Sequence, residues 1–131
     1  MGIVLDSNII IKMERERGSI EALCPRDSDR EYYVSVISAS ELLYGVHRAK
    51  NASLRQLRSA FVEAILGRLP ILEIDFKVAR AHALLWSELV SKGTMIGLHD
   101  SWIAATCIAH GFELFTNNKK EFARVPGLTL Q

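Results

Sequence analysis

Cysteine is scarce in this sequence: Cys24 and Cys107 are the only two among 131 residues. They form no CxxC pair and no zinc-type Cys/His spacing, which argues against a disulfide framework or a zinc site. Both thiols are expected as small buried hydrophobes in a reducing cytosol, which places the chain in the cytoplasm. Charge of one sign is lacking as well. Sixteen Lys and Arg against fifteen Asp and Glu leave a formal net charge of +1. No broad basic field is available, so any nucleic-acid contact has to come from local patches. No run approaches the roughly eighteen apolar residues of a membrane span. Asp6 interrupts the apolar start and no basic stretch precedes it, so neither a membrane segment nor a secretory leader is expected. Internal repeats, low-complexity runs and linkers are absent. Neither G-x-x-x-x-G-K-[ST] nor G-x-G-x-x-G follows the first apolar run, which disfavours a nucleotide-binding enzyme.

What is present is ordinary globular material, 49% apolar and 24% charged. The length fits one domain over residues 1–131, long enough to bury a core without covalent or metal staples. Gly2 to Leu5 is a short apolar run that suits a strand buried on both faces of a parallel sheet. Ser7 and Asn8 offer capping chemistry to a helix through Ile9, Ile10, Ile11 and Met13. Arg15 to Glu31, with Gly18, Pro25 and two Asp, reads as helix fragments and loop. Tyr32 to Ile37 is a second strand, and Ser38 to Lys50 a helix carrying Ala39, Leu42, Leu43 and Val46. Leu54, Leu57, Phe61, Ile65 and Leu69 form another apolar stripe. Pro70 to Ile74 is a third strand, followed by Asp75 as the cap of a helix that ends at Gly93. A last long helix runs from about His99 to His110 and stops at Gly111. Phe112 to Phe115 is a fourth strand and Leu128 to Leu130 a short final one. Strands alternating with helices predict an α/β fold with a mainly parallel sheet and right-handed connections.

Three acids sit in apolar surroundings: Asp6 after GIVL, Glu41 in SVISASELLYG and Asp100 in GLHDSWIAATCIA. A carboxylate flanked this way is costly to bury unless it is paired or binds a cation. Each has a local reading too. Asp6 fits a helix cap, Glu41 a capping box begun at Ser38, and Asp100 a first-turn acid favoured by the helix dipole. In open parallel sheets, ligands bind beyond the carboxyl ends of the strands. Asp6 and Thr116 follow strands there, and Glu41 and Asp100 lie near the starts of helices, so one shared rim is available to all of them. Hard divalent cations choose such oxygen donors and keep several waters for a substrate.

The pieces VLDSN with Asp6, SVISASELLYG with Glu41, HDSWIAA with Asp100 and LFTNNKKEF with Thr116, Asn118 and Glu121 stand in order along nearly the whole chain. In that order and spacing they resemble the PIN-domain ribonucleases, and in particular the VapC-type toxins of bacterial toxin–antitoxin pairs. The resemblance implies a three-layer α/β/α sandwich around a mainly parallel sheet. It implies Mg²⁺- or Mn²⁺-dependent hydrolysis of RNA phosphodiesters, with Asp6, Glu41 and Asp100 as catalytic and metal-holding carboxylates. Ser7, Asn8 and Thr116 become groups that fix carboxylate rotamers by hydrogen bonds. It also implies a homodimer and a small cognate antitoxin laid over the acidic groove. The last motif departs from the family's usual T-x-D/N-x-x-D-F: Asn118 is neutral and Glu121 is one methylene longer than Asp. A further metal ligand therefore has to come from Asn118 or Glu121, or not at all.

Lys119 and Lys120 lie on the predicted loop after the fourth strand and are candidate phosphate contacts. Lys12, Arg15 and Arg17 could line the other side of the groove, but their interleaving with Glu14 and Glu16 favours a solvated helix face, and Arg48, Lys50, Arg55 and Arg58 read as surface charge. His99 precedes Asp100 and either sits near substrate or, the favoured reading, plays a structural helix-start role; Trp86 and Trp102 read as core packing rather than base stacking, and Tyr44 as either groove-facing or half-buried. Two other functions fit parts of the pattern. One is a non-catalytic module of the same fold that binds RNA or antitoxin. The other is an aspartate-nucleophile phosphotransferase, which would place its nucleophile at Asp6 but normally wants a second acid where Asn8 stands.

Overall fold

The computed structural model of the chain describes residues 1–26 and 29–131. Residues 27 and 28, part of the expected Arg15–Glu31 loop, lie outside the described residues. The elements run β1 (Gly2–Leu5), α1 (Ser7–Arg15), α2 (Ile20–Leu23), β2 (Glu31–Ser35), α3 (Val36–His47), α4 (Ala52–Arg68), β3 (Ile71–Leu72), α5 (Phe76–Lys92), α6 (Leu98–His110), β4 (Glu113–Phe115) and α7 (Lys119–Phe122). The described strands form one sheet in the order β3-β2-β1-β4. Every pairing is parallel, with Val4 opposite Tyr33 and Leu114, and Leu5 opposite Phe115. Leu128–Leu130 contributes only a single parallel bridge between Leu114 and Leu130 rather than a strand. No helix among the described residues is long and apolar enough to cross a membrane.

β1 is the spine. All four of its residues are buried, and their alternation sends Ile3 and Leu5 to one face and Val4 to the other. On the Ile3/Leu5 face lie Ile10 and Met13 of α1, Leu42 and Val46 of α3, and Val62 and Ile65 of α4. On the Val4 face lie Val78, Leu85 and Leu89 of α5, Ile103, Ala104 and Cys107 of α6, and Phe122 of α7. That is the expected α/β/α sandwich. Both cysteines are free and buried as expected, and burial pushes the Cys24 thiol up to about 11.

Several boundaries differ from the sequence reading for identifiable reasons. α3 begins at Val36 rather than Ser38, because Ser35 is its cap and accepts the Ser38 N–H at 3.0 Å. β2 accordingly stops at Ser35 instead of running to Ile37. α1 is capped by Asp6 itself, whose side chain accepts the Ser7 N–H, rather than by Ser7 or Asn8. β3 is only two residues long, and Leu57 on α4 is 71% exposed instead of facing the core. Gly93 and Gly111 end α5 and α6 as expected, with φ of 65° and 69° in the left-handed region where glycine carries no Cβ penalty.

Candidate active site

The chain leaves β1 toward β2 on one side and returns from β3 to β4 on the other, so the sheet reverses its winding at β1 and β4. A crevice opens at such a point, beyond the carboxyl ends of the strands. Asp6 and Thr116 are the first residues past β1 and β4, and the pairing of Leu5 with Phe115 puts them side by side. The Asp6 N–H continues the ladder by donating to the Phe115 carbonyl at 2.9 Å.

Asp6 is 4% exposed and heavily anchored. Its Oδ1 accepts the Ser7 N–H at 2.8 Å. Its Oδ2 accepts the Thr116 hydroxyl at 2.8 Å and an Asn8 amide hydrogen at 3.3 Å. Asn8 also donates to Thr116 Oγ1 and accepts the Asn117 N–H, and Thr116 Oγ1 accepts the Asn118 N–H at 2.9 Å. Asn8 and Thr116 thus tie the start of α1 to the loop after β4 and fix the Asp6 rotamer. Thr116→Val removes all three bonds at Oγ1. It should cost about 1–3 kcal/mol, the usual penalty for stranding buried polar groups, read by urea unfolding.

The other acids approach from the helices. Glu41 stands on α3, where its Oε1 is buried without any hydrogen-bond partner. The capping-box reading of Glu41 is overturned, since Ser35, not Ser38, caps the helix. Burial raises its pKa, the neighbouring Asp6 raises it further, and His99 and the Ser7 side chain pull the other way. Asp100 lies in the first turn of α6. Burial and the charges of Glu121, Asp6 and Glu41 push its pKa up to about 6. Asp6 is raised too, by burial first, against hydrogen bonds from Thr116 and Ser7. Four carboxyls from four separate stretches therefore feel one another at a single rim.

Glu121 differs from the rest. Its Oε1 accepts the Gly97 N–H at 2.8 Å and its Oε2 accepts the Asn118 amide at 2.7 Å, and these bonds hold its pKa down. A Cβ on Gly97 would lie 3.7 Å from Glu121 Oε1 and 3.9 Å from Asp100 Oδ2, so both carboxyls crowd the entry to α6. The extra methylene of Glu121 supplies that reach. Asn118 and Glu121 are engaged with each other and with the α6 entry, whereas Glu41 has an oxygen to spare.

Among the described residues, no group of three or more His, Cys, Asp or Glu side chains is placed so that it could hold a metal ion as it stands. The donor set nevertheless suits a hard divalent cation. It is all oxygen, it repels itself, one buried oxygen is unsatisfied, and an ion that keeps most of its waters needs only a few carboxylates. The other residues singled out from sequence divide. Lys119 and Lys120 are exposed, on the short helix α7 rather than a loop. His99 is exposed but close enough to act on Glu41, nearer the site than its expected structural role implied. Trp86 and Trp102 stack on the buried His82, with ring centroids at 5.5 and 3.6 Å, as core packing. Tyr44 faces outward under Arg48. Gly97 went unnoticed in the sequence, where a glycine before a helix carries no sign of the acid that meets it.

Comparison with known proteins bears on the family and the fold. The PIN domain family matches residues 3–128 of the chain. Ribonuclease VapC1 of Rickettsia felis is 36% identical over 128 residues, covering 98% of this chain and 93% of that protein. The tRNA(fMet)-specific endonuclease VapC of Salmonella typhimurium is 36% identical over 98 residues, 75% of this chain and 72% of that protein. The solved structure of VapBC2 from Rickettsia felis, bound to a DNA fragment from its promoter, is similar with a TM-score of 0.89 at 31% identity, covering 100% of this chain and 98% of that one. With the family match running over residues 3–128, almost from end to end, the chain belongs to the PIN domain family.

Proposed function

We propose that this chain is a divalent-metal-dependent endoribonuclease, the toxin half of a toxin–antitoxin pair, working as a single domain over residues 1–131. The observation that carries it is the Asp6–Glu41–Asp100 cluster, mutually repelling and with a buried Glu41 oxygen unpartnered. Asp6, Glu41 and Asp100 would hold Mg²⁺ or Mn²⁺. The bound ion would neutralise charge at phosphoryl oxygens and activate water. Thr116, Asn8 and Ser7 keep the carboxylate rotamers, and Glu121 sets the α6 entry that carries Asp100. The matched proteins named as ribonucleases and as a tRNA-specific endonuclease support RNA as the substrate class. Those solved as VapBC complexes support a small protein antitoxin as partner. A cytoplasmic homodimer is part of the same proposal. The phosphotransferase reading loses ground on geometry: both Asp6 oxygens already accept hydrogen bonds, and Asn8 donates to one of them.

The test uses circular single-stranded RNA, which has no ends, with purified protein and millimolar Mn²⁺. Linear products that disappear on chelation are expected, together with growth arrest when the chain is expressed alone. Intact circles under conditions where the protein binds both Mn²⁺ and RNA would establish the non-catalytic module instead.

A further inference from the structure

α3 reads Glu41-Leu-Leu-Tyr-Gly45, which sets Glu41 and Gly45 four residues apart on one helix face. Glycine inside a helix is about 1 kcal/mol worse than alanine. Packing does not require it here, because a Cβ at Gly45 would meet nothing within 4 Å. The missing side chain leaves a cleft of about 200 Å³, lined by Ile11, Glu14, Arg15, Glu41, Gly45 and Arg58 among others. Arg58 reaches it from α4. Its Nη1 donates to the Gly45 carbonyl at 3.4 Å, and its Nε is 4.0 Å from Glu14 Oε1, too long for a hydrogen bond. The side chain is 37% exposed. Most of its five N–H donors are thus uncommitted. The volume is below the roughly 300–1,000 Å³ of a typical small-molecule pocket.

We infer that this cleft is a phosphate subsite for the RNA strand running out of the carboxylate cluster, with Arg58 as its first contact and Arg15 as a second. The inference rests on the ribonuclease reading above. A guanidinium fork matches two phosphate oxygens at once. Glu41 also lines the cleft, as does Glu14. A phosphate between Glu41 and Arg58 is repelled by the carboxylate until a cation takes up that charge, so strand binding and metal binding reinforce each other.

The experiment measures binding of a fluorescent single-stranded RNA by anisotropy across a salt series, with Ca²⁺ in place of Mn²⁺, beside cleavage in Mn²⁺. Arg58→Gln should lower affinity and raise KM roughly tenfold or more, the loss of a charge-assisted contact, with kcat changed little. Its slope of log affinity against log salt should be shallower by about 0.7, one phosphate on a single strand. Arg58→Lys should restore the slope but only part of the affinity. Arg80→Gln, on α5, is the control and should match wild type. Gly45→Met keeps both arginines, fills the empty space and should lose RNA affinity while retaining Mn²⁺ binding by calorimetry. That variant keeps the question decidable if Arg58→Gln does not fold. Wild-type slope and KM in Arg58→Gln, with wild type cutting RNA, would overturn the subsite alone. A shallower slope with no cleavage by wild type would uphold the subsite and overturn the nuclease. Neither binding nor cleavage by wild type would overturn both.

Discussion

Asp100→Asn is expected to lose RNA cleavage by more than about 100-fold, beyond what removing an outer-shell partner of a metal site usually costs, while making the metal-free protein more stable. The two effects share one cause. Asp100 has its pKa raised to about 6 by burial and by the charges of Glu121, Asp6 and Glu41. At neutral pH it is ionised where the fold disfavours a charge. The amide removes that charge and can still donate to Glu121, much as the protonated acid does. Because Asp100 is only partly buried and solvent screens the repulsion, the gain is on the order of 1 kcal/mol, or roughly 4 °C in Tm for a chain of this length. Asp6→Asn should behave differently. An amide there turns an N–H toward the Thr116 hydroxyl that now donates to Oδ2. It should therefore lose activity without gaining stability. Circular-RNA cleavage and calorimetry on the two variants check both halves. An Asp100→Asn protein that cuts RNA at the wild-type rate, or melts below wild type without metal, would remove Asp100 from the metal-holding set.

Such a gain from disarming a site is characteristic of function held against stability, and it also marks where the sequence was legible. The helical segments were readable because apolar residues recur at helical spacing and because Asp75, Gly93 and Gly111 carry their own start and stop chemistry. β1 was readable as four apolar residues ending at an acid. Asp6, Glu41 and Asp100 stood out as charges in apolar surroundings. What could not be read were relations between distant segments. Ser38 and Glu41 match a capping box locally, yet Ser35 at the end of β2 starts the helix earlier, because strand termination depends on the partner strand. The reach of Glu121 to the Gly97 N–H spans 24 residues. Arg58, one of several scattered basic residues in the sequence, gains its position only when α4 packs across Gly45 of α3. Leu57 looked like core by period alone, but α4 turns it outward.

Mn²⁺ should stabilise the wild-type chain strongly at neutral pH and weakly in acid. Asp6, Glu41 and Asp100 all have folded-state pKa values above their ordinary ones. A raised carboxyl means the folded state binds more protons than the unfolded chain. Between the ordinary value near 3.8 and the folded value of about 6 for Asp100, stability without metal therefore falls as pH rises. Glu121 and His82 are shifted down and work in the opposite direction, so the raw curve is a difference of terms. Subtracting the curve of Asp100→Asn isolates Asp100. The Tm advantage of that variant should be near zero at about pH 4, grow toward pH 6 and level off by about pH 7, following the titration window. A divalent ion reverses the sign, because it binds the deprotonated carboxylates and competes with protons for them. At about 100 times its Kd the ion contributes about 2.7 kcal/mol. The wild-type melting shift on adding Mn²⁺ should thus be large at pH 7.5, much smaller at pH 5, and mostly lost in Asp100→Asn at either pH. An equal shift at both pH values, or an equal shift in the variant, would mean the ion binds somewhere other than among these three acids.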